Sequence, residues 1–315
     1  MSNFVPTTDH SYYSKVCQWC GYHQALENAE YVTTEDGWVI AWDGDQAFLM
    51  TYCGDGKIMM FPREYKGKLI NCDYFSFDYS TVKETLEELW IFDEYDVQIK
   101  DYQFYDFTSL RDVRIQRGTL GTSAFAMCNN LTTVYIGENI REIGHNCFGS
   151  SYNLTEIVYC ARNAKSTGDT PYYIFGDAGC FSAGIRLEIC DTVESLPKGI
   201  FGSHTWYDNH PKITEIVISS SSNLTTIGDD CFYRCAELEE IFLPKTITRI
   251  EASAFVESGV HTVYYDGTIY DWYAVYVHAS NTPLLTATMY FYSETPPQDG
   301  GDYWHYDDYG TIVTW

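Results

Sequence analysis

The chain has 315 residues, 45% of them hydrophobic, and a formal net charge of −25. A usual domain holds about 100–200 residues, so this length implies two domains or one elongated repeat array. The charge repels phosphate, which excludes ordinary nucleic-acid binding and disfavours an anionic membrane surface, and no run of about 18 apolar residues exists to span a bilayer.

Residues 1–34 read as an N-terminal extension. Met1–His10 is polar and lacks the charged-then-apolar pattern of an export leader. Cys17-Gln-Trp-Cys20 follows, with His10 and His23 nearby. Zinc needs two more ligands at fitting spacing, and Cys53 and Cys72 form no second pair. Redox use of the pair needs a βαβ context, which is absent. No metal or other cofactor is therefore expected. A short helix is predicted over Ala25–Glu30. Residues 35–85 form an opening cap, with hairpin-like strands that cover the first coil of a repeat array.

Residues 86–265 carry that repeat. Leu86-Glu-Glu-Leu-Trp-Ile91 opens it, followed by segments starting at Leu110, Leu131, Leu154, Ile213, Leu238 and Val260, with a shifted version at Ile185. Each has apolar residues at its first, fourth and sixth places. Phe104, Phe125, Phe148 and Phe232 lie six residues before the next repeat, and Cys128 and Cys235 lie three before it. Leu86, Leu110, Leu131 and Leu154 stand 24, 21 and 23 apart, a leucine-rich-repeat period.

This pattern predicts a mainly β repeat solenoid, a right-handed coil with a parallel sheet on one face. Short 3-10 or helical turns are expected on the other face, with caps at both ends. The fourth and sixth residues point inward, and the third and fifth outward. One coil cannot bury its apolar face alone, whereas stacked coils share a core. The Phe landmarks fill that core, together with Cys128, Cys147, Cys231 and Cys235 acting as small hydrophobes. Disulfides are then not needed, which favours reduced thiols. Three Asn-Leu-Thr triplets, at Asn130, Asn153 and Asn223, match glycosylation acceptors but sit in the repeat register, so they read as turn residues.

The pattern Leu-x-x-Ile-x-Leu-Pro-x-x-Ile-x-x-Ile-x-x-x-Ala-Phe over Leu238–Phe255 resembles BspA-like leucine-rich-repeat proteins. Glu35-Asp-Gly-Trp-Val, Tyr52-Cys-Gly-Asp-Gly56 and Phe61-Pro-Arg-Glu-Tyr-Lys-Gly67 resemble that family's opening repeat. Tyr264-Tyr-Asp-Gly-Thr with Asp271-Trp272, and Phe291-Tyr-Ser-Glu-Thr-Pro with Gly301–Tyr306 and Trp315, resemble its closing segment and a tail of the gut Firmicutes type. The likeness spans about residues 35–315. It implies adhesion or protein binding, usually on a bacterial surface. Because no export signal or cell-wall anchor is visible, two other settings stay open: a phage or mobile-element structural protein, or an intracellular scaffold.

The candidate binding residues lie mainly on the outward strand face. Its fifth-place row reads Trp90, Arg114, Tyr135, Val158, Glu188, Val217, Phe242 and Tyr264. Its third-place row reads Glu88, Asp112, Thr133, Glu156, Arg186, Glu215, Glu240 and Thr262. An aromatic row beside an acidic one suits a basic, partly apolar protein or peptide, or a glycan. The same residues also suit plain cross-strand stabilisation. Two long loops add contact candidates: Tyr172 and Tyr173 in Cys160–Gly184, and Trp206 and Tyr207 in Ser203–Lys212. His204, Asp208 and His210 read as a polar loop rather than a metal site.

Residues 266–315 form the C-terminal cap and tail, with a short helix near Trp272 and with Tyr303–Tyr306 and Trp315 folding back. Their aromatics read as cap packing, with carbohydrate stacking as the alternative. No Gly-x-Ser-x-Gly, Walker loop, His-Glu-x-x-His or dinucleotide fingerprint occurs. A non-enzymatic binding protein is the resulting expectation.

Overall fold

Each repeat contributes a strand whose fourth and sixth residues point into a shared core. Leu89 and Ile91, Val113 and Ile115, Val134 and Ile136, Ile157 and Tyr159, and Leu187 and Ile189 are all buried. The strands Ile58–Met60, Glu88–Ile91, Asp112–Leu120, Thr133–Gly144, Glu156–Tyr159, Ile185–Ile189 and Ile213–Ile218 lie side by side in chain order as one parallel sheet. Their register matches the repeat: Leu89 faces Val113, which faces Val134, then Ile157, Leu187 and Ile216. The chain is a repeat solenoid, mainly β. In this computed structural model the described residues are 26, 28–72, 75, 78–93, 95–167, 174–203, 210–298 and 300–315, with the backbone of short strands at 2–3, 12–13 and 16–17. The side chains of Cys17, Cys20, His10 and His23 lie outside these. So do Tyr172, Tyr173, Trp206 and Tyr207, and His204 and Asp208 with them. The predicted helix at Ala25–Glu30 falls partly outside; Glu30 itself opens a strand.

The later coils form a second sheet, Glu240–Leu243, Thr262–Tyr265, Thr288–Tyr292, Tyr303–Tyr306 and Ile312–Thr314, parallel except for its last pair. A narrower flank runs beside the main face. It joins Val97–Ile99 and Lys165–Thr167 to the second halves of the two long strands. Farther along, Ser195–Leu196, Thr226–Ile227, Arg249–Ile250 and Tyr276–Val277 pair in parallel.

The return side of each coil is a run of turns. Its centre is a buried phenylalanine. Phe104, Phe125, Phe148, Phe175, Phe201, Phe232 and Phe255 stack ring over ring, with successive centroids 5.0, 5.2, 5.0, 5.6, 5.6 and 5.3 Å apart. Residues two before and two after five of these rings take left-handed backbone: Tyr102 and Asp106, Ser123 and Met127, Asn146 and Ser150, Asp230 and Arg234, Ser253 and Glu257. That conformation stops a helix from propagating. It leaves the Phe amide free to bond the next coil, as Phe125 does to Cys147 O at 2.8 Å and Phe232 to Ala254 O at 2.8 Å.

Both ends are closed. At the N-terminal end, antiparallel strands Glu30–Thr33, Trp38–Trp42 and Ala47–Tyr52 lie over the first coil. A chain of rings, Trp38, Phe61, Phe75 and Tyr79, extends the phenylalanine stack into this cap and ends on Phe104 at 4.6 Å. At the other end, helix Ile269–Trp272 opens with a capping box between Thr268 and Asp271.

The thiols divide. Cys128, Cys147, Cys231 and Cys235 are buried and free. Burial pushes the Cys128 thiol up to about 12 and raises the other three, so all stay neutral and pack as hydrophobes. Cys160 and Cys190 depart from the reduced expectation by forming a disulfide. They directly follow Tyr159 and Ile189, which face each other on adjacent strands, so register brings their Cα atoms to 4.7 Å. The bond staples two coils across the longest insertion.

Candidate binding face

The parallel register aligns the outward residues into two continuous rows. One runs Met60, Trp90, Arg114, Tyr135, Val158, Glu188, Val217. The other runs Ile58, Glu88, Asp112, Thr133, Glu156, Arg186, Glu215. Neighbouring strands sit about 4.8 Å apart, so adjacent members of a row touch or nearly touch. Ile58 and Met60 extend the rows by one strand beyond the first repeat. The run Ile58-Met-Met-Phe61 is apolar throughout, so no alternation in the sequence marks them; in the structure Met59 and Phe61 are buried and Ile58 and Met60 exposed.

Both cations on this face are already matched. The Arg114 guanidinium makes two hydrogen bonds of 2.9 Å to the Asp112 carboxylate, which raises its pKa, and lies over the Trp90 ring at 4.8 Å. Arg186 lies among Glu188 at 3.0 Å, Glu156 at 3.7 Å and Glu215 at 3.9 Å. Glu88, Asp112, Glu156, Glu188 and Glu215 thus outnumber two guanidiniums, and the face keeps a negative surplus. Trp90, Tyr135 and Val158 are half-buried, with ring and methyl surface left open beside these charges.

The far end of the expected row is not open. Phe242 is only 7% exposed, because Trp304 of the tail sits edge-on against it at 5.7 Å. Trp304 is fully buried, and its indole N–H donates to Tyr265 O at 2.9 Å. Tyr264 stacks on Tyr290 at 5.5 Å and meets Trp304 at 6.4 Å. The tail strand Tyr303–Tyr306 continues the second sheet, and this turns Phe242 from a contact residue into core and Tyr264 into part of the cap. Glu240 stays exposed beside them.

Among the described residues, no group of three or more His, Cys, Asp or Glu is placed to hold a metal ion. Among them, no helix is long and apolar enough to cross a membrane.

Known proteins resemble the chain in the same terms. The sequence profile described as BspA type Leucine rich repeat region matches six copies over residues 83–175 and 178–276, more than half of the chain. No curated protein matches. Among solved structures, the chain is similar to a leucine-rich repeat protein from T. pallidum, with 18% identity, 75% of this chain and 68% of that one covered, and a TM-score of 0.25. It is similar to one from Bacteroides ovatus, with 13% identity, 84% and 69% covered, and a TM-score of 0.36. A leucine rich cell surface protein from Faecalibacterium prausnitzii shares 18% identity over 78% of this chain and 97% of that one, with a TM-score of 0.23. With the repeats matched across most of the solenoid and stacked in register, the chain belongs to the BspA-type leucine-rich-repeat family.

Proposed function

We propose that this chain is a non-enzymatic binding protein that presents the outward face of its parallel sheet, from Ile58–Met60 to Ile213–Ile218, to a basic, partly apolar surface on a protein partner. Adhesion is the role that such a face serves. The observation that carries the reading is the pair of registered rows: half-buried Trp90, Tyr135 and Val158 beside an acidic row, with both arginines of the face already neutralised. Solvated strands ordinarily carry polar residues on the wet side, so half-buried rings and a valine there favour further burial against another surface. The surplus carboxylates steer a cationic partner and reject an acidic one.

The test is a binding screen against extracellular-matrix proteins and glycans, followed by two double variants. Tyr135→Ser with Val158→Ser removes apolar contact, and Glu156→Lys with Glu215→Lys reverses the field. Each should weaken the captured partner at least tenfold, about 1.4 kcal/mol. The thermal midpoint should stay within a few degrees. Binding at wild-type strength by both variants would sink the reading, and a glycan as the sole captured partner would replace the protein reading.

A further inference from the structure

A second feature lies at the edge of the sheet rather than on its face. Strand Ile58–Met60 ends the parallel sheet, and among the described residues it pairs on one side only, with Glu88–Trp90. Phe61 N–H donates to Trp90 O at 3.0 Å, and Lys57 O accepts from the N–H groups of Glu87 and Glu88 at 2.7 and 3.1 Å. Residues 57 and 61 therefore direct their backbone groups to that neighbour. Bonding direction alternates along a parallel strand, so the N–H and C=O of Ile58 and Met60 face the other way. Among the described residues, no strand pairs with them on that side. Natural proteins usually blunt such an edge, because it is a template for another strand.

This edge opens into a groove of about 730 Å³ between the N-terminal cap and the sheet. That size falls within the range of ligand sites. Ile58 and Met60, 49% and 40% exposed, form its floor with Phe61 and Phe92. Its far lip carries Glu35, Asp36 and Asp55, all exposed. The lip is held in place: both the N–H and the thiol of Cys53 donate to Gly37 O, at 2.7 and 3.3 Å. The two cations of the groove are already engaged. Lys57 pairs with Glu87 at 3.6 Å, and Arg63 lies over the Phe92 ring at 5.2 Å.

We propose that this groove captures an extended polypeptide segment of alternating apolar and basic residues, which adds to the sheet as a new strand against Ile58–Met60. The segment's main chain pairs with the outward groups of Ile58 and Met60. Its apolar side chains cover Ile58 and Met60, and its Lys or Arg side chains meet Glu35, Asp36 and Asp55. Main-chain pairing supplies affinity, and the alternate side chains supply selectivity. The proposal goes beyond the face described above, because neither the groove nor the edge uses Tyr135, Val158, Glu156 or Glu215.

The probe is a fluorescein-labelled Lys-Val-Lys-Val-Lys-Val peptide, titrated with the full chain and followed by anisotropy. Two control peptides are the same sequence N-methylated at every residue and a Glu-Val version. The Lys-Val peptide should bind, and both controls should bind at least tenfold more weakly. Met60→Pro removes the outward N–H at an edge where proline is tolerated, and it should cost at least tenfold with an unchanged thermal midpoint. Asp36→Lys with Asp55→Lys should do the same. The two double variants of the outward face should leave peptide affinity within twofold. Failure of the Lys-Val peptide to bind, or equal binding of its N-methylated form, would overturn the proposal. The second comparison uses the unaltered protein, so it holds even where Met60→Pro does not fold.

Discussion

Asn281 ends a backbone ladder that five earlier coils pass to their successors. Phe104, Phe125, Phe148, Phe201 and Phe232 each donate their amide to a carbonyl of the next coil, at 2.8–3.0 Å. Phe255 has no further coil, and its N–H goes instead to Asn281 Oδ1 at 2.9 Å. The same side chain donates to Glu251 O at 2.8 Å and to His278 O at 3.0 Å, and it is fully buried. Asn281→Leu should leave these groups unpaired in a dry site, with a loss of about 2–4 kcal/mol in urea unfolding. Asn153 offers the contrast. It bonds Asn129 O at 2.7 Å, as Asn130 bonds Thr108 O and Asn223 bonds Asp191 O, but in the open. Water replaces such a bond readily, so Asn153→Ala should cost only about 1 kcal/mol. Equal losses at both positions would refute a capping role for Asn281. The three Asn-Leu-Thr triplets are thus coil-to-coil staples: the Thr hydroxyls of residues 132, 155 and 225 also bond the preceding coil, at 3.1, 3.1 and 2.9 Å.

At the scale of the repeating element, the phenylalanine stack sets the spacing of the coils where the strand pattern weakens. Phe175 and Phe201 are fully buried members of it, although long insertions precede each of the next coils. Phe175→Ala should cost about 3–5 kcal/mol, because the stack leaves no room for neighbours to collapse inward from two sides. Each coil contacts chiefly its neighbours, so hydrogen exchange should quicken in residues 148–201 before it does in residues 104–125. Uniform quickening across the solenoid would show one cooperative unit instead. The sequence revealed Phe104, Phe125, Phe148 and Phe232 because they keep a fixed distance from the next Leu. Phe175 and Phe201 were hidden because insertions change that distance while the stack restores the geometry in space. The left-handed positions were hidden for a related reason. They hold Tyr102, Met127, Arg234 and Glu257 rather than glycine, so tertiary register and not local preference imposes the conformation. The Cys160–Cys190 bond was equally silent, since only strand pairing brings those two residues together.

Across the whole molecule, the rows of the outward face were legible because side-chain alternation and a parallel register fix them without further information. Where they end was not, because Trp304 reaches back from a segment some 60 residues beyond Phe242 and covers it. Charge acts at this largest scale too. With a net charge of −25, the folded chain repels itself, and screening should relieve that repulsion. Its ion pairs pull the other way, but they are mostly exposed pairs such as Arg141–Asp96 and Arg162–Glu194, each worth little. Raising sodium chloride from 0.01 M to 1 M shortens the screening length from about 30 Å to about 3 Å. The thermal midpoint should therefore rise over that range. Affinity for a basic partner should fall over the same range, because the attraction of the acidic row and the acidic lip is screened along with the self-repulsion. Calorimetry and anisotropy on one salt series separate the two effects by their opposite signs. A falling midpoint would show that the surface ion pairs outweigh net charge, and a salt-independent affinity would show that the rings alone hold the partner.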